Sequence, residues 1–60
     1  MIFLKDHNYR IVFQVGNNAL AFFCKIIEDT ENFLTFEDKF KKTLTYNKAN
    51  IISFEEISNG

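Results

Sequence analysis

Residues Asn17 to Asp38 read NNALAFFCKIIEDTENFLTFED, and whether this stretch is strand or helix decides the fold. Between Ala19 and Ile27 both faces are apolar. Leu20, Phe22, Cys24 and Ile26 point one way, and Ala21, Phe23 and Ile27 the other. A helix would accept Leu20, Phe23, Ile27, Thr30 and Leu34 as one stripe. The strand reading is preferred because Gly16-Asn17-Asn18, residues that tolerate positive φ, announce a hairpin just before it. Aromatic and β-branched side chains also crowd the segment. The acidic run Glu28-Asp29-Thr30-Glu31-Asn32 then reads as a turn into a second strand, Phe33 to Glu37, with Leu34 and Phe36 facing inward.

Working outward, Tyr9, Ile11, Phe13 and Val15 alternate with Arg10, Val12 and Gln14, the period of two of a half-buried strand. Asp6-His7-Asn8 separates it from the short run Ile2 to Leu4, which reads as a further strand. On the C-terminal side Asp38-Lys39-Phe40-Lys41-Lys42 reads as a polar hairpin loop. Glu37 with Lys41, and Asp38 with Lys42, are also acid-before-base pairs at helical spacing, so a helix from about Phe33 to Leu44 competes. Thr43 to Tyr46 resumes strand alternation, Asn47-Lys48-Ala49-Asn50 makes a tight corner, and Ile51 to Glu55 is the closing strand. The expected fold is all-β: one domain over residues 1–60, a small, strongly bent, antiparallel barrel of five to six strands.

A chain of 60 residues has room for one small core. Hydrophobic residues nevertheless make up 47% of it, and eight Phe with two Tyr raise the aromatic share to 17%. That excess, with a second apolar set of Val12, Phe23, Ile27, Phe33 and Ile51, predicts a homo-oligomer. The net charge of −1 gives no global basic field, so any nucleic-acid site has to be local. The single cysteine excludes an intrachain disulfide framework and suits a reducing, cytoplasmic setting. No leader pattern or membrane-spanning run is expected.

The chemical inventory points away from catalysis. One His in a turn and one Cys in an apolar strand do not make a metal site, and no Gly-rich phosphate loop or nucleophile triad is present. Neither a cofactor nor an enzymatic activity is expected. Cys24 reads as a packed core thiol and His7 as a solvated turn residue. Two groups remain as binding candidates. Lys39, Lys41 and Lys42 are interleaved with Phe40, as phosphate attraction and base stacking require. The corner Tyr46-Asn47-Lys48 gathers an aromatic, an amide and an ammonium on one rim.

From about Tyr9 to Phe54 the order of elements resembles the Sm-like (LSm and Hfq) family of small RNA-binding barrels. The resemblance rests on the Gly16-Asn17-Asn18 turn before a long bent strand. It rests also on Ile27-Glu28 through Asn32, similar to the aromatic-Asp-x-x-x-Asn turn of the first Sm motif, and on Tyr46-Asn47-Lys48-Ala49, similar to the Tyr-Lys-His-Ala segment of Hfq. Glu28 stands where that motif has Asp, and Asn47 and Lys48 where Hfq has Lys and His. The resemblance implies a non-catalytic subunit of a ring that contacts single-stranded RNA through Asn32, Tyr46, Asn47 and Lys48, with Lys39, Lys41 and Lys42 adding phosphate attraction. The alternative is a protein-interaction or assembly module with the same barrel and no nucleic acid.

Overall fold

The computed structural model describes residues 3–57 and contains five β-strands, joined in one antiparallel sheet of order β4-β3-β2-β1-β5. They are β1 (Asn8–Val15), β2 (Asn18–Asp29), β3 (Phe33–Glu37), β4 (Thr43–Asn47) and β5 (Ile51–Glu56), with a single 3-10 turn, Lys48–Asn50, between the last two. The stretch Asn17 to Asp38 is therefore strand, turn and strand, and the helix over 33–44 does not form.

Local chemistry explains the turns. Gly16 takes φ +60 at the first central position of the two-residue loop between β1 and β2, a conformation that costs a residue without Cβ little. Between β3 and β4 the carboxylate of Asp38 accepts from the backbone N–H of Phe40 and of Lys42, both at 2.9 Å. Those bonds and the positive φ of Lys41 close a hairpin where the charge spacing also allowed a helix. The acidic turn is shorter than the sequence suggests: β2 continues through Asp29, leaving Thr30, Glu31 and Asn32 as the connection.

A single sheet with no second layer buries side chains only by curling on itself, and the aromatic geometry records that curl. Phe13 on β1 and Tyr46 on β4 are three strand spacings apart in the sheet, about 14 Å if it were flat. Their ring centroids are 4.8 Å apart. Phe13 also stacks on Phe36 at 5.6 Å and meets Phe22 edge-on at 5.9 Å. Around these rings Tyr9, Ile11, Cys24, Ile26 and Leu34 complete the core, with Phe22, Leu44, Tyr46 and Ile51 packed against it. β4 and β5 form the edges, and no ladder joins them among the described residues.

Two further expectations change. Of the Ile2 to Leu4 strand, Ile2 lies outside the described residues, and Phe3 and Leu4 are not strand. Phe3 is instead a buried plug whose ring meets Tyr9 at 5.1 Å and Phe54 at 4.8 Å. Ile51 belongs to the core side, opposite Phe13, and not to the outward apolar set. The β1–β5 register shifts between Val12 and Phe13, and this irregularity leaves Ile52 as the exposed member of the pair. Phe23, Ile27 and Phe33 do face outward, and Val12 is half-buried.

Cys24 sits in this core, 2% exposed. Burial, and secondarily the charge of Asp38, pushes its thiol up to about 12. The thiolate is the reactive form. Labelling of the folded protein with a thiol reagent at neutral pH is therefore expected to proceed only as fast as the chain opens, and labelling in denaturant within mixing time. Equal rates in the two conditions would contradict the burial.

Candidate functional site

The corner between β4 and β5 is assembled by hydrogen bonds. Asn47 ends β4 in extended conformation, and its side-chain oxygen accepts from the N–H of Ala49 at 2.8 Å, capping the 3-10 turn. The Lys48 N–H donates to the Asn32 carbonyl at 2.9 Å, tying this corner to the β2–β3 turn. The Lys48 ammonium donates to the Thr30 carbonyl at 2.8 Å and to the carboxylate of Asp29. Thr30 and Phe33 close the turn from within, the threonine hydroxyl and N–H both lying near the Phe33 carbonyl.

Asp29 is the hub of this end. Its side chain is 5% exposed, against 18% for Lys48, and it accepts from the Phe3 N–H at 3.1 Å. Burial works to raise its pKa. The Lys48 hydrogen bond, the Phe3 N–H and the Lys48 charge together outweigh that effect and hold the carboxyl below the usual range. One carboxylate thus joins the end of β2, the segment before β1 and the β4–β5 corner. No local pattern marks it, because its partner lies nineteen residues away and its neighbours Glu28 and Glu31 are equally acidic.

The candidate residues fall into two groups. Asn32, Tyr46, Asn47 and Lys48 come together at the corner, with the ring of Tyr46 and the ammonium of Lys48 both engaged within the protein. Tyr46 is half-buried, its ring packed against Phe13, Phe22 and Phe36 at 4.8 to 5.8 Å. The Lys48 ammonium is held by Asp29 and Thr30. Asn32 and Asn47 are the exposed members of the rim, Asn47 with its side-chain oxygen on the Ala49 N–H. Lys39, Lys41 and Lys42 lie at the other end of β3 and β4, across five residue pairs that span roughly 16 Å. All three are exposed, and so is Phe40, at 76%.

Among the described residues no group of His, Cys, Asp and Glu gathers to hold a metal, and no helix is long and apolar enough to cross a membrane. His7 pairs its Nδ1 with a Glu56 carboxylate oxygen at 2.7 Å, linking the segment before β1 to the end of β5. Comparison with protein-family models, with curated proteins and with solved structures returns no match to this chain.

Proposed function

We propose that this chain is the non-catalytic subunit of a homo-oligomer of Sm-like or Src-homology-like small-barrel type, and that the assembly binds single-stranded RNA. The observation that carries this reading is the pair of sheet edges, β4 and β5, that no further strand covers among the described residues. The loop that feeds β4 holds Lys39, Lys41 and Lys42, and β5 ends in Glu55 and Glu56. When β4 of one copy pairs antiparallel with β5 of the next, the start of β4 meets the end of β5, so Lys42 approaches Glu55 and Glu56. Strand pairing then covers the unpaired backbone of both edges, and the charges select the head-to-tail partner over edge pairing with itself. The long bent β2, the short hairpins and the 3-10 turn before the last strand also support the small-barrel reading.

RNA contact at the rim is supported by the exposed Asn32 amide and the amide nitrogen of Asn47, which offer hydrogen bonds to base edges. Lys48 acts there as a brace and not as a phosphate ligand. A second reading, a protein-interaction module without RNA, draws support from the net charge of −1 and from the free β4 edge, which would take an extended peptide as an added strand. A reducing, cytoplasmic setting suits either.

Light scattering tests the assembly. The mass is expected to exceed the 7.1 kDa of one chain. Glu55→Lys with Glu56→Lys should lower it, and adding Lys41→Glu with Lys42→Glu should restore it. A monomer in every variant overturns the edge-pairing reading.

A further inference from the structure

The geometry points to a single-stranded RNA platform on the outer face of the sheet, where Phe23 and Phe40 supply stacking faces and Lys25, Lys39 and Lys41 supply phosphate contacts. It rests on the RNA reading above and moves the principal contact away from the Tyr46-Asn47-Lys48 corner. Alternation along β2 turns Phe22 and Cys24 inward and leaves Phe23 and Lys25 outside, Phe23 at 52% exposure. The β3–β4 hairpin brings Phe40 and Lys39 to the same place. Two open clefts, of ≈ 360 and ≈ 180 Å³, meet there: Phe23 and Lys39 line both, Lys25 and Lys41 the larger and Phe40 the smaller.

Two acids, Glu37 and Asp38, also line this groove, against the three lysines Lys25, Lys39 and Lys41. Asp38 spends one carboxylate oxygen on the N–H groups of Phe40 and Lys42. Glu37 stands opposite Lys25 in the β2–β3 register and lies 3.9 Å from the Lys41 ammonium. Lys39 holds its ammonium 5.2 Å from the Phe40 ring centroid. Phe40 is thus flanked by a cation, and Phe23 shares its cleft with Lys25, Lys39 and Lys41. That interleaving of rings and cations suits a single strand, in which phosphates and bases alternate. It is a poor match to a protein interface, whose buried centre is depleted of lysine. At the corner the cation is largely buried in its pair with Asp29, whereas Lys41 stays 83% exposed, and the aromatic packs against the core.

The chain contains no tryptophan, so Phe40→Trp creates a single fluorescent reporter at an exposed position. Titration of this variant with oligo-U and oligo-A is expected to quench the fluorescence saturably. The affinity should fall with salt at a slope of about −2, as roughly three phosphate contacts predict for a single strand. Phe40→Ala should weaken binding about fivefold or more, read by anisotropy of labelled RNA, with Asn32→Ala changing it little. Binding that is unmoved by Phe40→Ala but lost in Asn32→Ala overturns the platform and leaves the RNA reading standing. Equal quenching by a poly-glutamate peptide overturns base stacking. No binding of either oligonucleotide to the wild-type chain overturns the platform and the RNA reading together.

Discussion

Phe13→Ala is expected to remove most of the stability of this domain. Phe13 is fully buried and touches rings from three other strands, Phe22, Phe36 and Tyr46, so it is the side chain around which the sheet curls. Truncating a buried Phe costs about 3–5 kcal/mol, part of it the cavity left behind. A domain of this length is worth roughly 3–9 kcal/mol in total, from about 0.05–0.15 kcal/mol per residue. In a thermal melt followed by circular dichroism the midpoint should drop by about 12 °C or more, or the transition should disappear. A loss below about 1 kcal/mol, the size of an ordinary surface change, would mean that the core is organised around another residue.

Lys48→Met gives the second large effect, and its pH dependence identifies the cause. Methionine keeps the apolar stem and removes the ammonium, leaving the Asp29 carboxylate buried with the backbone N–H of Phe3 as its remaining hydrogen-bond donor among the described residues. Breaking a buried pair from one side costs about 3–5 kcal/mol, and the residual exposure of Lys48 places the expected loss near about 3 kcal/mol at neutral pH. In the wild-type chain the folded Asp29 pKa lies below its ordinary value of 3.8. Its contribution is therefore complete above that value and is lost as the pH falls through the folded pKa. In Lys48→Met the largest effects holding the carboxyl down are gone and burial works against the charge, so the variant's Asp29 pKa is expected to rise relative to the wild type. Acidification toward pH 4 should narrow the gap between variant and wild type. Denaturant unfolding at neutral and at acidic pH measures this, and a gap that widens in acid would exclude Asp29 as the group responsible. Lys48→Met with Asp29→Leu should recover part of the loss, since it removes the stranded charge.

The comparison also separates two roles for the same residue. A loss of RNA affinity in a Lys48 variant is ambiguous, because the corner that holds Asn32 and Asn47 is braced through Lys48. Asn32→Ala leaves the backbone bond to Lys48 in place and reports on the rim directly. Phe40, 76% exposed, reports on the outer face without disturbing the core.

Much of the fold was legible in residue order because strand periodicity is local. The alternation of Tyr9, Ile11 and Phe13 against Arg10 and Val12 fixes which side of β1 is buried, and the tetrapeptide around Gly16 fixes the hairpin register that sets Leu20, Phe22, Cys24 and Ile26 on the same side. The candidate site was less legible. Its lysines and asparagines were identifiable as residues, but which lysine is free and which is spent depends on a partner far along the chain.

The sequence by itself determined that β1 to β5 are strands, the buried faces of β1, β2 and β3, and the hairpin at Gly16, since these follow from a period of two and from residues that accept positive φ; the strand expected at Phe3 and Leu4 and the outward face of Ile51 did not hold. Only the tertiary structure decided the rest. The curl of the sheet brings Asp29 beneath Lys48 and packs Tyr46 into the core. The irregularity opposite Val12 turns Ile51 inward and Ile52 outward, and the β3–β4 hairpin sets Phe40 beside Phe23. Each of these depends on register between strands distant in sequence. A shift of one residue exchanges the faces of a strand, and local composition carries no record of it.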